Sequence, residues 1–144
     1  MASIATLKRM NAQTLSQKIL EEQEAQDLTF AVVDVRDDDY LGGHIKSSLN
    51  IPSHTLDAAM PTLVRRLADK KTVVFHCMLS QQRGPSAALK YLRERDGVLK
   101  TLGLKAAEDQ EVFVLDLGFS GWQDAFGEDE RLTEGYRKEL WGQD

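Results

Sequence analysis

The sequence predicts an α/β fold, a central parallel sheet flanked by helices, from three observations. Three apolar runs, "FAVVDV" (30–35), "TVVFHC" (72–77) and "VFVLDL" (112–117), are nearly continuous rather than alternating. A strand covered on both faces reads this way, as in a parallel sheet between helices. The intervals between the runs exceed the dozen or so residues that a crossover between parallel strands requires. Those intervals also carry apolar residues at helical spacing.

Taken in order, the first element is a helix near residues 14–26, followed by the strand at 30–35. Gly42 and Gly43 mark a turn, with His44 after them in a structural role. In "TLDAAMPTLVRRLADKK" (55–71), Pro61 suits the first turn of a helix whose Leu63, Val64 and Leu67 share a face. After the second strand, Gly84 and Pro85 open a helix with Ala88, Leu89 and Leu92 on one side, and Gly97 suits its stop. Residues 99–110 read as a connection leading to the third strand. Shorter helices follow, with Trp122 as a core anchor. Leu132, Tyr136 and Leu140 then form the stripe of a last helix packed back on the domain.

At 144 residues and 42% hydrophobic, residues 1–144 suffice for one domain with a real core and are too few to expect two. The formal charge of -5, from 23 acidic and 18 basic residues, argues against nucleic acid or an anionic membrane as a partner. No segment has the apolar length of a signal peptide or a membrane span. A single cysteine excludes an internal disulfide and suits a reducing compartment, cytoplasm or nucleus. Asp37, Asp38 and Asp39 lack the spacing of a calcium loop and read as a solvated turn, so no metal is expected.

That one cysteine, Cys77, ends the second strand, just before a helix, where open α/β sheets hold their ligands. Met78, Leu79, Ser80, Gln81 and Gln82 separate it from Arg83, giving C-x5-R. A loop of that length curled around a centre directs its N–H groups inward as an anion nest, reinforced by the helix N-terminus. Arg83 adds a planar fork matched to two oxygens of a tetrahedral oxyanion. The same field favours a thiolate, the nucleophilic form of sulfur. His76, beside Cys77 on a strand, points to the opposite face and reads as a buried hydrogen-bonding residue. Asp34 and Arg36 read as structural, fixing the loop after the first strand.

"HCMLSQQRGPSAA" (76–88) resembles the active-site loop of the small rhodanese-fold cysteine phosphatases. These are related to the cell-division-cycle dual-specificity phosphatases and to the eukaryotic arsenate reductases, and the similarity is closest to small fungal members. "VVDVRDDDYLGGHIKSSLNIP" (32–52) resembles the N-terminal signature of that fold, and "VLDLGFSGWQ" (114–123) its late strand and turn. The motifs fall within residues 28–127, in the expected order. The resemblance implies a rhodanese-like sheet, Cys77 as nucleophile, and Arg83 with the 78–83 loop as the oxyanion site. It further implies hydrolysis of phosphate monoesters through a phosphocysteine, with no cofactor. Relatives that transfer sulfur usually have a shorter loop; five residues before the arginine leave room for phosphate or arsenate.

The mitotic relatives carry acidic residues where this chain has Met78 and Gln82. No loop carboxylate can therefore protonate a leaving group, and an aryl phosphate becomes a better substrate than an alkyl one. Phosphorylated protein or a small oxyanion is the expected substrate. The alternative is arsenate reduction, for which a lone cysteine needs glutathione or glutaredoxin to resolve its adduct. Thiosulfate sulfur transfer and a non-catalytic rhodanese-like module rank below both.

Overall fold

A computed structural model of the chain describes residues 3–142. In chain order its elements are β1 (Lys8–Met10), α1 (Ala12–Ala25), β2 (Phe30–Asp34), β3 (His44–Ile45), β4 (Leu49–Asn50), α2 (Leu56–Leu67), β5 (Thr72–His76), α3 (Arg83–Leu102), β6 (Glu111–Leu115), α4 (Gly118–Phe126) and β7 (Thr133–Glu134). Five strands form one sheet in the order β1, β6, β5, β2, β4, with every pairing parallel. β3 and β7 form a separate antiparallel pair.

The continuous apolar runs have the expected cause: every residue of β2 and β5 is buried, because helices cover both faces. Ala31, Val33, Val73, Phe75 and Cys77 pack with α2 and α3 through Leu63, Leu67, Ala88 and Tyr91. Phe30, Val32 and Val74 face the other way, toward Leu15 and Ile19 of α1 and Phe119 and Trp122 of α4. Trp122 is a core anchor, as expected, fully buried with its indole N–H donating to Thr133 Oγ1 at 3.0 Å. Burial pushes the Tyr91 phenol up to about 12, against the opposing pull of Arg95 and of the hydrogen bond to Gln110.

Three expectations are corrected, and one element is added. Pro61 lies well inside α2, because a 3-10 turn at Ser53–Thr55 starts the helical path earlier. The carbonyl it leaves unpaired, at Asp57, is on the exposed side, so the proline is tolerated. Gly97 does not end α3. The helix continues to Leu102 and stops at Gly103, whose φ of 72° lets its N–H reach back to Leu99 and Lys100 carbonyls. The last helix does not form: Leu132 is buried, but Thr133–Glu134 joins β3, Gly135 turns the chain, and Leu140 is 54% exposed on a 3-10 turn. Finally, β1 is an additional strand, invisible to hydropathy because "KRM" at a sheet edge has one buried side chain and no apolar run.

The two glycines of α3 give a direct check. Gly97 is exposed in the helix interior, with no atom within 4 Å of the place a methyl group would take, whereas Gly103 needs its left-handed backbone. Gly97→Ala is expected to raise stability by about 0.5–1 kcal/mol and Gly103→Ala to lower it by about 1–2 kcal/mol, read from denaturant midpoints. A destabilised Gly97→Ala variant would contradict the helix boundary.

Candidate active site

Because β5 is the central strand, the loop after it emerges in the middle of the sheet's carboxyl edge, between the loops after β2 and β6. Cys77 is the first residue of that loop and is 3% exposed. Its sulfur accepts the backbone N–H of Gly84, in the first turn of α3, at 3.3 Å. An N–H aimed at sulfur, at the start of a helix of 20 residues, places positive potential on it.

Two neighbouring elements hold the loop's carbonyls. Cys77 O accepts Phe119 N–H and Met78 O accepts Ser120 N–H, both at 2.9 Å, from the first turn of α4. Gly118 permits this approach, since a Cβ there would sit 2.5 Å from Cys77 O and 2.6 Å from Met78 O. Ser80 O accepts Arg9 Nη2 at 3.2 Å, and Arg9 is steadied by Asp116. Ser80 itself is buried with φ 57°, and its hydroxyl has no partner among the described residues. Among those residues, no N–H from Met78 to Gln82 donates to a protein acceptor. Leu79, Gln81 and Gln82 are exposed and Met78 is half-buried.

Arg83 is the first residue of α3, a third exposed. Asp39 meets it end-on, Nη1 to Oδ1 at 2.8 Å and Nη2 to Oδ2 at 2.6 Å, and Nη1 also reaches Asp37 Oδ2 at 3.3 Å. The carboxylates, Asp39 first, hold the guanidinium charged, and Cys77 contributes in the same direction. Asp37 is partly desolvated, but Ser53, His54 and Arg83 outweigh this and keep its carboxyl well below the usual range. Arg83 does the same for Asp39. The reading of Asp37 and Asp39 as a solvated turn is therefore corrected; of the three, Asp38 alone is exposed and makes no ion pair among the described residues. The missed signal was topological: β2 and β5 are adjacent parallel strands, so an acidic pair after one lies beside an arginine after the other.

Asp34 and Arg36 form a fully buried ion pair. The guanidinium chelates Asp34, donates to the carbonyls of Asp39, Leu41 and Gly43, and lies against Phe119 at 4.2 Å and Tyr40 at 5.0 Å. This pair fixes the loop after β2. His44 contacts Glu134 of β7 at 3.2 Å and stacks on Tyr40, a structural position. Among the described residues, no three His, Cys, Asp or Glu side chains converge as a metal-binding group.

His76 faces away from Cys77, against Phe119. Its Nδ1 lies 2.9 Å from Cys77 O, and its Nε2 has no hydrogen-bond partner, 3.7 Å from Asp34. Burial lowers its pKa against the pull of Asp34, so the ring is neutral and Nδ1 carries the proton that Cys77 O accepts. A histidine with a depressed folded pKa binds its proton more readily when unfolded. Stability is therefore intact above the unfolded value near 6.5 and declines as pH falls below it. The difference in unfolding free energy between the natural chain and His76→Gln is expected to change by up to about 1.4 kcal/mol per pH unit below 6.5. A flat difference from pH 7 to 5 would refute a neutral buried ring.

Residues 12–125 match the rhodanese-like domain family. The CDC25-like phosphatase YCH1 of Saccharomyces cerevisiae is 44% identical over 122 residues, covering 78% of this chain and 78% of that protein. Arsenate reductase 2.2 of Oryza sativa subsp. japonica is 37% identical over 102 residues, covering 68% and 72%. The solved structure of Ygr203w, described as a yeast protein tyrosine phosphatase of the rhodanese family, matches with a TM-score of 0.77 at 38% identity, covering 97% of this chain and 100% of that one. Family match, sheet order and the loop after β5 agree: the chain belongs to the rhodanese-like domain family.

Proposed function

We propose that this protein hydrolyses phosphate monoesters, aryl phosphates such as phosphotyrosine above all, with Cys77 as nucleophile. One observation carries the reading. A cysteine sulfur accepts the Gly84 N–H at a helix N-terminus, followed by a run of N–H groups free of protein acceptors and then by Arg83. Such a cradle suits three oxygens around a phosphorus in line with the sulfur.

The thiolate attacks phosphorus, a sulfur–phosphorus bond forms and the bond to the ester oxygen breaks. The leaving group departs as phenolate and takes its proton from solvent afterwards. Water then attacks the phosphocysteine, releasing inorganic phosphate and restoring the thiolate. Arg83 and the 78–83 amides hold the phosphoryl oxygens, their charge meeting donors that need no reorganisation. Positions 78 and 82 are Met and Gln, Asp37 is held ionised by Ser53, His54 and Arg83, and Asp39 by Arg83. None of the four donates a proton, which restricts the reaction to leaving groups that depart unaided. Two names among the relatives support the reading, a CDC25-like phosphatase and a tyrosine phosphatase.

A second reading, arsenate reduction, is favoured by the similarity to a rice arsenate reductase. There Cys77 attacks arsenic and displaces hydroxide, which leaves as water. Glutathione or glutaredoxin then supplies the two electrons and ends as a disulfide. Either reaction needs a reduced thiol, hence cytoplasm or nucleus, and no helix among the described residues is long and apolar enough to cross a membrane. The whole chain acts as one rhodanese-like domain in this reading.

Purified protein is assayed with an aryl phosphate, with arsenate plus glutathione and glutaredoxin, and with thiosulfate plus cyanide. Turnover is expected in the first, and turnover only in the second or third would replace the reading. Cys77→Ser is expected to lower kcat at least about a thousandfold; activity surviving that change removes the nucleophile. Arg83→Lys keeps the charge but loses the fork, and kcat/KM should fall about a hundredfold. Near-normal kinetics in Arg83→Lys would place oxyanion binding elsewhere.

A further inference from the structure

We propose that Asp39, assisted by Asp37, is a positioning residue for Arg83, holding its guanidinium end-on so that the remaining edge is presented to the oxyanion. The inference rests on the oxyanion site proposed above. A guanidinium has five N–H donors and two forks, one between Nη1 and Nη2 and one between Nε and Nη2. Asp39 fills the first fork and Asp37 takes the remaining Nη1 donor. What is left is Nε–H and one Nη2–H, which together make the second fork complete. Among the described residues, that edge donates to no protein acceptor.

Both carboxylates are themselves held. Asp37 accepts Ser53 Oγ at 2.6 Å, His54 N–H at 3.2 Å and a contact from His54 Nδ1 at 2.8 Å. Asp39 Oδ1 accepts Asp37 N–H at 3.0 Å, and Asp39 O is tied to the buried Arg36. A chain of contacts thus runs from the core pair Asp34–Arg36 through Asp39 to Arg83. Without it, Arg83 is a long side chain on the first turn of a helix, a third exposed, free to sample many rotamers.

Two negative charges beside an anion site oppose anion binding by simple Coulomb repulsion. Positioning and repulsion therefore predict opposite results when Asp39 is neutralised, which makes the test sharp. Turnover of para-nitrophenyl phosphate and inhibition by inorganic phosphate are measured for the natural chain, Asp39→Asn, Asp39→Glu and the matched control Asp38→Asn. Asp38 lies between the two clamp residues, is exposed, and makes no ion pair among the described residues.

Asp39→Asn is expected to lose about ten- to a hundredfold in kcat/KM, with weaker phosphate inhibition by a similar factor. Asp38→Asn should stay within about twofold, and Asp39→Glu should recover most of the loss. Phosphate binding that is unchanged or tighter in Asp39→Asn overturns the proposal. If Asp39→Asn does not fold, Asp37→Asn, which removes one Nη1 contact, should show a smaller loss of the same sign, and a gain there overturns it equally. A natural chain that neither turns over the ester nor binds phosphate would instead bring down the reading beneath. Normal turnover with Asp39→Asn equal to Asp38→Asn brings down the positioning role alone.

Discussion

The buried ion pair between Asp34 and Arg36 is the interaction on which the rest of the site depends. An unpaired charge in a core is very costly, and a paired one is tolerated only when its remaining hydrogen-bonding groups are also satisfied. Arg36 meets that condition by directing its donors to Asp34 and to three carbonyls of residues 39–43, and by lying between the rings of Tyr40 and Phe119. The need to satisfy one buried guanidinium thereby dictates the path of a surface loop. That loop carries the carboxylates that meet a second guanidinium, at the mouth of the site.

The cysteine is placed by a different constraint. Parallel strands end together at one edge of the sheet, and the central strand has a loop from a neighbouring strand on each side. Its own loop can then be supported laterally, and here Phe119, Ser120 and Arg9 hold three of its carbonyls. With those carbonyls taken up, the N–H groups of residues 78–82 donate to no protein acceptor among the described residues. Within this loop Ser80 takes the left-handed backbone conformation, with φ 57°.

Much of this is legible in the residues alone, and the failures share a cause. The three central strands are readable because burial, complete in β2 and β5 and partial in β6, forces near-unbroken apolar runs. The loop from Cys77 to Arg83 is readable because strand, cysteine, spacing and helix start are all local. β1, with one buried side chain, leaves no trace in composition. The stripe of Leu132, Tyr136 and Leu140 suggests a helix, but Gly135 and the pairing with β3 override the period. Asp37 and Asp39 look solvated because their partner is 44 or more residues away, and only the sheet order brings them to Arg83. Local chemistry can be read from the sequence; long-range pairing of charges cannot.

The residues that follow the matched region tie back to the loop after β2. Thr133 and Glu134 pair with Ile45 and His44, and the Trp141 indole N–H donates to Gly42 O at 2.9 Å while its ring meets Phe119. Residues 128–142 thus act as a buttress behind the loop that carries Asp37 and Asp39, though they supply none of the groups that meet Arg83. A chain cut at the end of the recognisable motifs would keep Asp37, Asp39, Cys77 and Arg83 while losing the contacts that Thr133, Glu134 and Trp141 make with the loop after β2. Boundaries drawn from shared motifs and boundaries drawn from mechanical support are, in this molecule, different lines.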